Sequence, residues 1–195
     1  MNLIYQDEKV SSYTDEIIRG SGVVEIQLIK NELTIFNLDD TVYEKITFKN
    51  DSYYLENSLS EIVARKVILA MDFLSLEFDC KKFEEDDEFV YIFINKELMK
   101  IKNNNYKLNY YEWLDYVARC YIKILRGNLL LIQTEYGERY AHNSEDAIFS
   151  VKEIVDDKLF LKSTSTGCCV ATKNLEGVVT WREGDKLLVD ICVID

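Results

Sequence analysis

The chain has 195 residues, a formal net charge of −12, and 48% apolar residues. That length lets a folded chain bury about 70% of its surface, enough for a cooperative core without disulfide or metal staples, and the apolar content excludes intrinsic disorder. The longest stretch free of charge is Ser163 to Thr172, too short to cross a bilayer, and no basic segment followed by an apolar run opens the chain.

Taken in chain order, β-rich segments at Val23–Ile29, Leu33–Leu38, Val42–Phe48 and Tyr53–Leu55 are separated by turn signals at Lys30-Asn31, Asp39-Asp40 and Lys49-Asn50-Asp51. Asn, Asp and Gly tolerate the left-handed backbone that tight hairpins need. Val24-Glu25-Ile26-Gln27-Leu28 alternates strictly, the pattern of a strand with one face buried and one wet. Ser58-x-x-Glu61 reads as a capping box, followed by apolar positions at helical spacing through Leu74 and Phe78, so a helix is expected over about 58–78. Phe89–Ile94 and Leu98–Ile101 flank the turn Asn95-Lys96. Asn109 as a cap, a stripe from Tyr110 to Leu125, and Gly127 as a stop give a second helix over about 109–126. The remainder reads as short strands around Asp156-Asp157 and Glu183-Gly184-Asp185. The fold class expected is α+β: antiparallel β-meander sheets packed with two main helices. One domain over 1–195 is expected, with an alternative two-lobe split near 80–88.

Charge is uneven. Residues 1–100 carry 11 Lys and Arg against 21 Asp and Glu, so most of the negative charge sits in that half. Such a field repels nucleic acid and anionic membranes and attracts a cationic protein. The acidic run Glu84-Glu85-Asp86-Asp87-Glu88, together with Tyr111 and Tyr116, which fall off the second helix's apolar stripe, forms the expected partner-binding surface. Tyrosine suits interfaces because its ring buries area at low entropy cost and its hydroxyl finds a partner.

Catalytic signals are sparse. The single histidine, His142, with Cys168 or Cys169 after a small-residue loop, is the weak candidate set for a cysteine-dependent enzyme, with Asp156 or Asp157 to orient the base. Cys80, Cys120 and Cys192 complete an odd set with no C-x-x-C pair, which fits reduced thiols in a cytoplasmic setting. Gly20-Ser21-Gly22 is too short for a dinucleotide turn, and no Walker or zinc-protease motif occurs, so no cofactor and no metal are expected. Proline is absent, and Ile and Asn are abundant, the usage of an AT-rich bacterial or phage genome. The functional expectation is an acidic protein-binding module, such as an immunity-type or phage-encoded inhibitor that occludes a cationic protein; a structural or assembly subunit is the other alternative beside the cysteine enzyme.

Overall fold

The computed structural model describes residues 10–12, 16–27, 32–49, 54–56, 62–69, 74–83, 87–103, 106–125, 129–133, 139–142, 147–164 and 175–192. They form two compact units, one built from Met1–Asp15 and Arg19–Glu112, the other from Glu16–Ile18 and Trp113–Asp195.

The first unit is β throughout its described residues. Its main sheet runs in the order Lys107–Glu112, Gly22–Gln27, Leu74–Cys80, Phe89–Ile94, Glu97–Lys102, Glu32–Phe36, Val42–Lys49, Tyr54–Glu56, with Lys66–Leu69 also paired to Leu74–Cys80. Every pairing in that sheet is antiparallel. A separate parallel pair joins Val10–Ser12 to Ile62–Ala64. Hairpins turn at Asp40 and at Asn95-Lys96, all three with positive φ. Alternate side chains of the strands converge on one interior: Val24 and Ile26, Leu33 and Ile35, Leu76 and Phe78, Ile92 and Ile94, Met99 and Ile101. Each such large side chain, fully withdrawn from water, contributes about 1.5–3 kcal/mol. Tyr106 lies against this interior, and its hydroxyl accepts the Thr34 N–H at 3.0 Å. On the Glu32–Phe36/Val42–Lys49 hairpin, the buried Lys100 ammonium bonds the Leu38 carbonyl at 2.9 Å and Asp40 at 2.6 Å and lies 4.5 Å over the Phe89 ring.

The second unit holds an antiparallel sheet in the order Arg139–His142, Leu130–Gln133, Glu176–Thr180, Lys158–Ser163, Ile148–Val155, Tyr121–Ile124, Val189–Cys192. A bulge interrupts Ile148–Val155 between Val151 and Glu153. The hairpin Arg182–Glu183/Lys186–Leu187 turns at Gly184, where φ is +59°. The helix Trp113–Arg119, with Asp115 in its first turn and Arg119 in its last to complement the dipole, packs toward Ile148–Val155. Phe149, Leu159, Leu161, Val179, Trp181 and Val189 are buried. Both tryptophans are in this unit and both are buried. Trp181 Nε1 has no hydrogen-bond partner, while the Arg182 guanidinium lies 4.8 Å over its ring.

The α+β expectation is therefore corrected: the protein is mostly β, with one seven-residue helix among the described residues. The segment expected as a helix over about 58–78 contains the strands Ile62–Ala64 and Lys66–Leu69 and most of Leu74–Cys80; Ser58 and Glu61 lie outside the described residues. Positions four apart share a face in a strand as well as in a helix, so Leu74 and Phe78 fit both periods. The β-branched Ile62, Val63, Val67 and Ile68 tip that balance toward strand. In the other segment, expected helical over about 109–126, Lys107–Glu112 and Tyr121–Ile124 are strands, and Asn109 is paired with Glu25 instead of capping a helix. Among the described residues no helix is long and apolar enough to cross a membrane.

Candidate functional site

Behind the core-facing side chains of the first unit lies the opposite face of three adjacent strands, Lys107–Glu112, Gly22–Gln27 and Leu74–Cys80. Register places Asn109 opposite Glu25, and Glu25 opposite Glu77, so that two carboxylates are direct cross-strand neighbours. Lys66 stands opposite Glu77 in the next strand. One row along, Tyr111 pairs with Val23, and Val23 with Asp79.

Glu25 is the hub of this face. Its Oε2 accepts from Asn109 Nδ2 at 3.0 Å and from the Tyr111 hydroxyl at 3.3 Å, and its Oε1 from Gln27 Nε2 at 3.4 Å. All four residues are half-buried. These neutral donors hold the carboxylate in place, and a partly dried anion interacts more strongly with an incoming cation than one in bulk water. Glu77, 6% exposed, adds a second carboxylate beside it. Asp79 is fully buried; burial pushes its carboxyl up from its ordinary value, opposed by the Arg65 guanidinium and by the Arg19 backbone N–H. Its charge is therefore engaged internally.

In sequence, the acidic run 84–88 lies between the strands Leu74–Cys80 and Phe89–Ile94 of the same sheet. Phe83 stacks on Tyr110 with centroids 5.6 Å apart, and the Tyr110 hydroxyl meets Ser21 Oγ at 2.9 Å. Burial raises the Tyr110 phenol above its ordinary value. Asp87 and Glu88 are exposed; Asn103 fixes their backbone, its Nδ2 donating to the Asp87 carbonyl and its N–H to that of Glu88, both at 2.9 Å. Glu84, Glu85 and Asp86 lie outside the described residues.

Of the two tyrosines expected at the surface, Tyr111 is placed on the carboxylate face. Tyr116 belongs to the second unit, where it is 2% exposed and edge-on to Trp113 at 5.9 Å, so its ring is packing material. Glu25, Glu77 and Asn109 were not among the sequence candidates; the alternation around Glu25 marked it as facing water, but Asn109 read as a helix cap concealed its cross-strand partner.

His142 is the last residue of strand Arg139–His142, its backbone opposite Leu130. Cys168 and Cys169 lie outside the described residues. Cys80 is buried in the first core, donates to the Lys82 carbonyl at 3.4 Å, and has its thiol pushed up to about 12 by burial. Cys120 is buried after the helix. Among the described residues no group of three or more His, Cys, Asp or Glu is placed to hold a metal. In comparisons with known proteins, no family model, no curated protein and no solved structure matches the chain.

Proposed function

We propose that the protein is an acidic protein-binding module that docks a basic protein on the carboxylate and tyrosine face of its first unit, flanked by the exposed end of the acidic run. The observation that carries this reading is the Glu25 cluster. Glu25 and Glu77 occupy one cross-strand pair, and Asn109, Tyr111 and Gln27 all donate to Glu25. An arginine or lysine from a partner would add charge-assisted bonds to the half-buried Glu25, while Tyr111 supplies a ring for its stem to cover. The net charge of −12 steers such a partner to the surface. Occlusion by binding, without chemistry, is the mechanism.

The test is affinity capture from host lysate on the immobilised protein at about 50 mM and about 500 mM salt, which shortens the screening length from about 14 Å to about 4 Å. The expected result is a stoichiometric basic protein retained at low salt and released at high salt. Glu25→Gln with Tyr111→Ala is expected to weaken its binding at least about tenfold, chiefly through dissociation, and charge reversal of Asp87 and Glu88 to slow association. A captured partner with no basic surface, or binding untouched by both sets of variants, overturns the reading.

A further inference from the structure

We infer that Glu16–Ile18 is a detachable strap on the second unit, and that the hairpin edge it covers is a slot for an extended segment of the same chemistry, an acidic residue followed by two branched apolar ones. The hairpin Arg182–Glu183/Lys186–Leu187 pairs two residues with two and forms a sheet of its own. A hairpin that short is marginal alone, and a third strand supports it. Glu16–Ile18 supplies that strand. Ile17 pairs with Lys186 in antiparallel register, the Ile18 N–H donates to the Asp185 carbonyl at 2.8 Å, and the Leu187 N–H donates to the Glu16 carbonyl at 2.6 Å. Glu16 and Lys186 add an ion pair at 3.1 Å, and Ile18 and Leu187 are both buried. Backbone bonds, a charge and an apolar anchor are the means by which a sheet edge captures an extended peptide.

The strap's place in the chain makes it detachable. The segments on both sides of it, Met1–Asp15 and Arg19–Glu112, belong to the first unit. The Arg19 N–H donates to Asp79 Oδ2 at 2.9 Å and the Ser21 N–H to the Cys80 carbonyl at 2.9 Å, so the first unit fastens the chain one residue beyond the strap by bonds of its own. Neither large sheet includes the strap, so its release breaks no strand pairing in either. Ile18 is the one buried side chain of the three. Ile17 is 37% exposed, and the ion pair is half exposed on both sides, where it adds little. A segment with so little buried apolar surface opens ahead of the core it rests on. Tethered through the chain, the strap faces its slot at an effective concentration of about millimolar and keeps rival segments out.

Hydrogen exchange on the unmodified chain tests release. The Leu187 amide bonds the strap, whereas the next amide, Leu188, donates to the Trp181 carbonyl at 2.7 Å. The Ile18 and Leu187 amides are expected to exchange together, at least about tenfold faster than the Leu188 amide. Ile17 and Lys186 face each other between the two backbone bonds, the closer kind of antiparallel pair with Cα atoms about 4.5 Å apart, which suits a disulfide. Oxidised Ile17→Cys/Lys186→Cys is therefore expected to slow Leu187 exchange to the Leu188 rate, and reduction to restore it. The slot is tested with a dye-labelled peptide copying residues 16–22, followed by anisotropy. It is expected to bind the full chain carrying Ile18→Asp at least about tenfold more tightly than the unmodified chain, and not to bind the oxidised pair. Ile18→Ser serves where Ile18→Asp fails to fold, as judged by circular dichroism. Equal protection at Leu187 and Leu188, exchange unmoved by oxidation, or a peptide that binds none of the chains or all of them alike overturns the inference. These substitutions leave Glu25, Asn109 and Tyr111 intact, so the basic-partner reading stands or falls separately.

Discussion

Arg65 grips Asp79 with two parallel bonds, Nε to Oδ1 and Nη2 to Oδ2, each 2.7 Å long. Both side chains are withdrawn from water, and the Arg19 N–H adds a third bond to Oδ2 at 2.9 Å. Arg65 joins the strands Ile62–Ala64 and Lys66–Leu69, so this pair anchors that junction to the strand Leu74–Cys80. Removing one partner of a buried pair leaves an uncompensated charge, so Arg65→Met is expected to cost about 3–5 kcal/mol in urea unfolding at neutral pH. Adding Asp79→Asn is expected to recover part of it. Burial already raises the Asp79 pKa, and losing Arg65 removes the main opposing force. Protonation then relieves the variant, so its deficit relative to the unmodified protein should shrink as pH falls toward 4. A deficit that is constant with pH would contradict this assignment.

Lys100 clasps the hairpin that carries Asp40, whose φ of +70° needs support. Within the turn, Asn37 N–H donates to the Thr41 carbonyl at 2.8 Å, and the Thr41 hydroxyl donates to Asp39 at 2.6 Å. Lys100→Met keeps the stem that packs in the sheet and removes the bonds to Leu38 and Asp40. Hydrogen exchange at the Asn37 and Thr41 amides is expected to accelerate about tenfold, while exchange in the strand Gly22–Gln27 stays unchanged.

Two glycines with positive φ separate two causes of cost. At Gly184, φ +59°, an added Cβ meets nothing within 4 Å, so Gly184→Ala bears only the backbone penalty of about 1–2 kcal/mol. At Gly20, φ +70°, the Cβ would collide with the Cys80 carbonyl, which accepts the Ser21 N–H at 2.9 Å. Gly20→Ala is expected to cost about 3 kcal/mol or more. Thermal unfolding of the two variants gives the comparison, and equal costs would show that the collision is relieved cheaply.

The Cys80 thiol sets an alkaline limit. Its folded pKa of about 12 lies above the ordinary 9.0, so the unfolded chain gives up the proton first. The stabilisation is fully present below pH 9 and is lost as pH rises through 12. Cys80→Ala is expected to flatten the decline of stability in that range, and Cys80 in the native protein is expected to resist iodoacetamide at pH 8. Rapid native labelling of Cys80 would contradict its burial.

Turn chemistry carried most of what the sequence revealed. Asp39-Asp40, Asn95-Lys96, Asp156-Asp157 and Glu183-Gly184-Asp185 all lie at turns, where Asp40, Asn95, Asp156 and Gly184 tolerate the left-handed backbone and Lys96 follows Asn95 into it. Phe89–Ile94 has the bounds its apolar pattern gave. The helices misled because period is ambiguous where apolar residues stand two and four apart, as at Leu74, Leu76 and Phe78. The Glu25 cluster was half visible: alternation exposes Glu25, but Asn109 and Tyr111 arrive from a strand more than eighty residues away, and strand order is a non-local choice that composition does not encode.

Because Trp113 and Trp181 are the only tryptophans and both lie in the second unit, the molecule carries an optical label on one half and leaves the other dark. Fluorescence excited beyond the tyrosine band reports on residues 113–195 alone, whereas far-ultraviolet dichroism averages the strands of both units. Coincident melting curves by the two signals would mark a single cooperative unit, and separated curves would resolve two stabilities without any added probe. The same partition sorts ligands. Quenching of tyrosine emission with tryptophan emission unmoved places a binder away from Trp113 and Trp181.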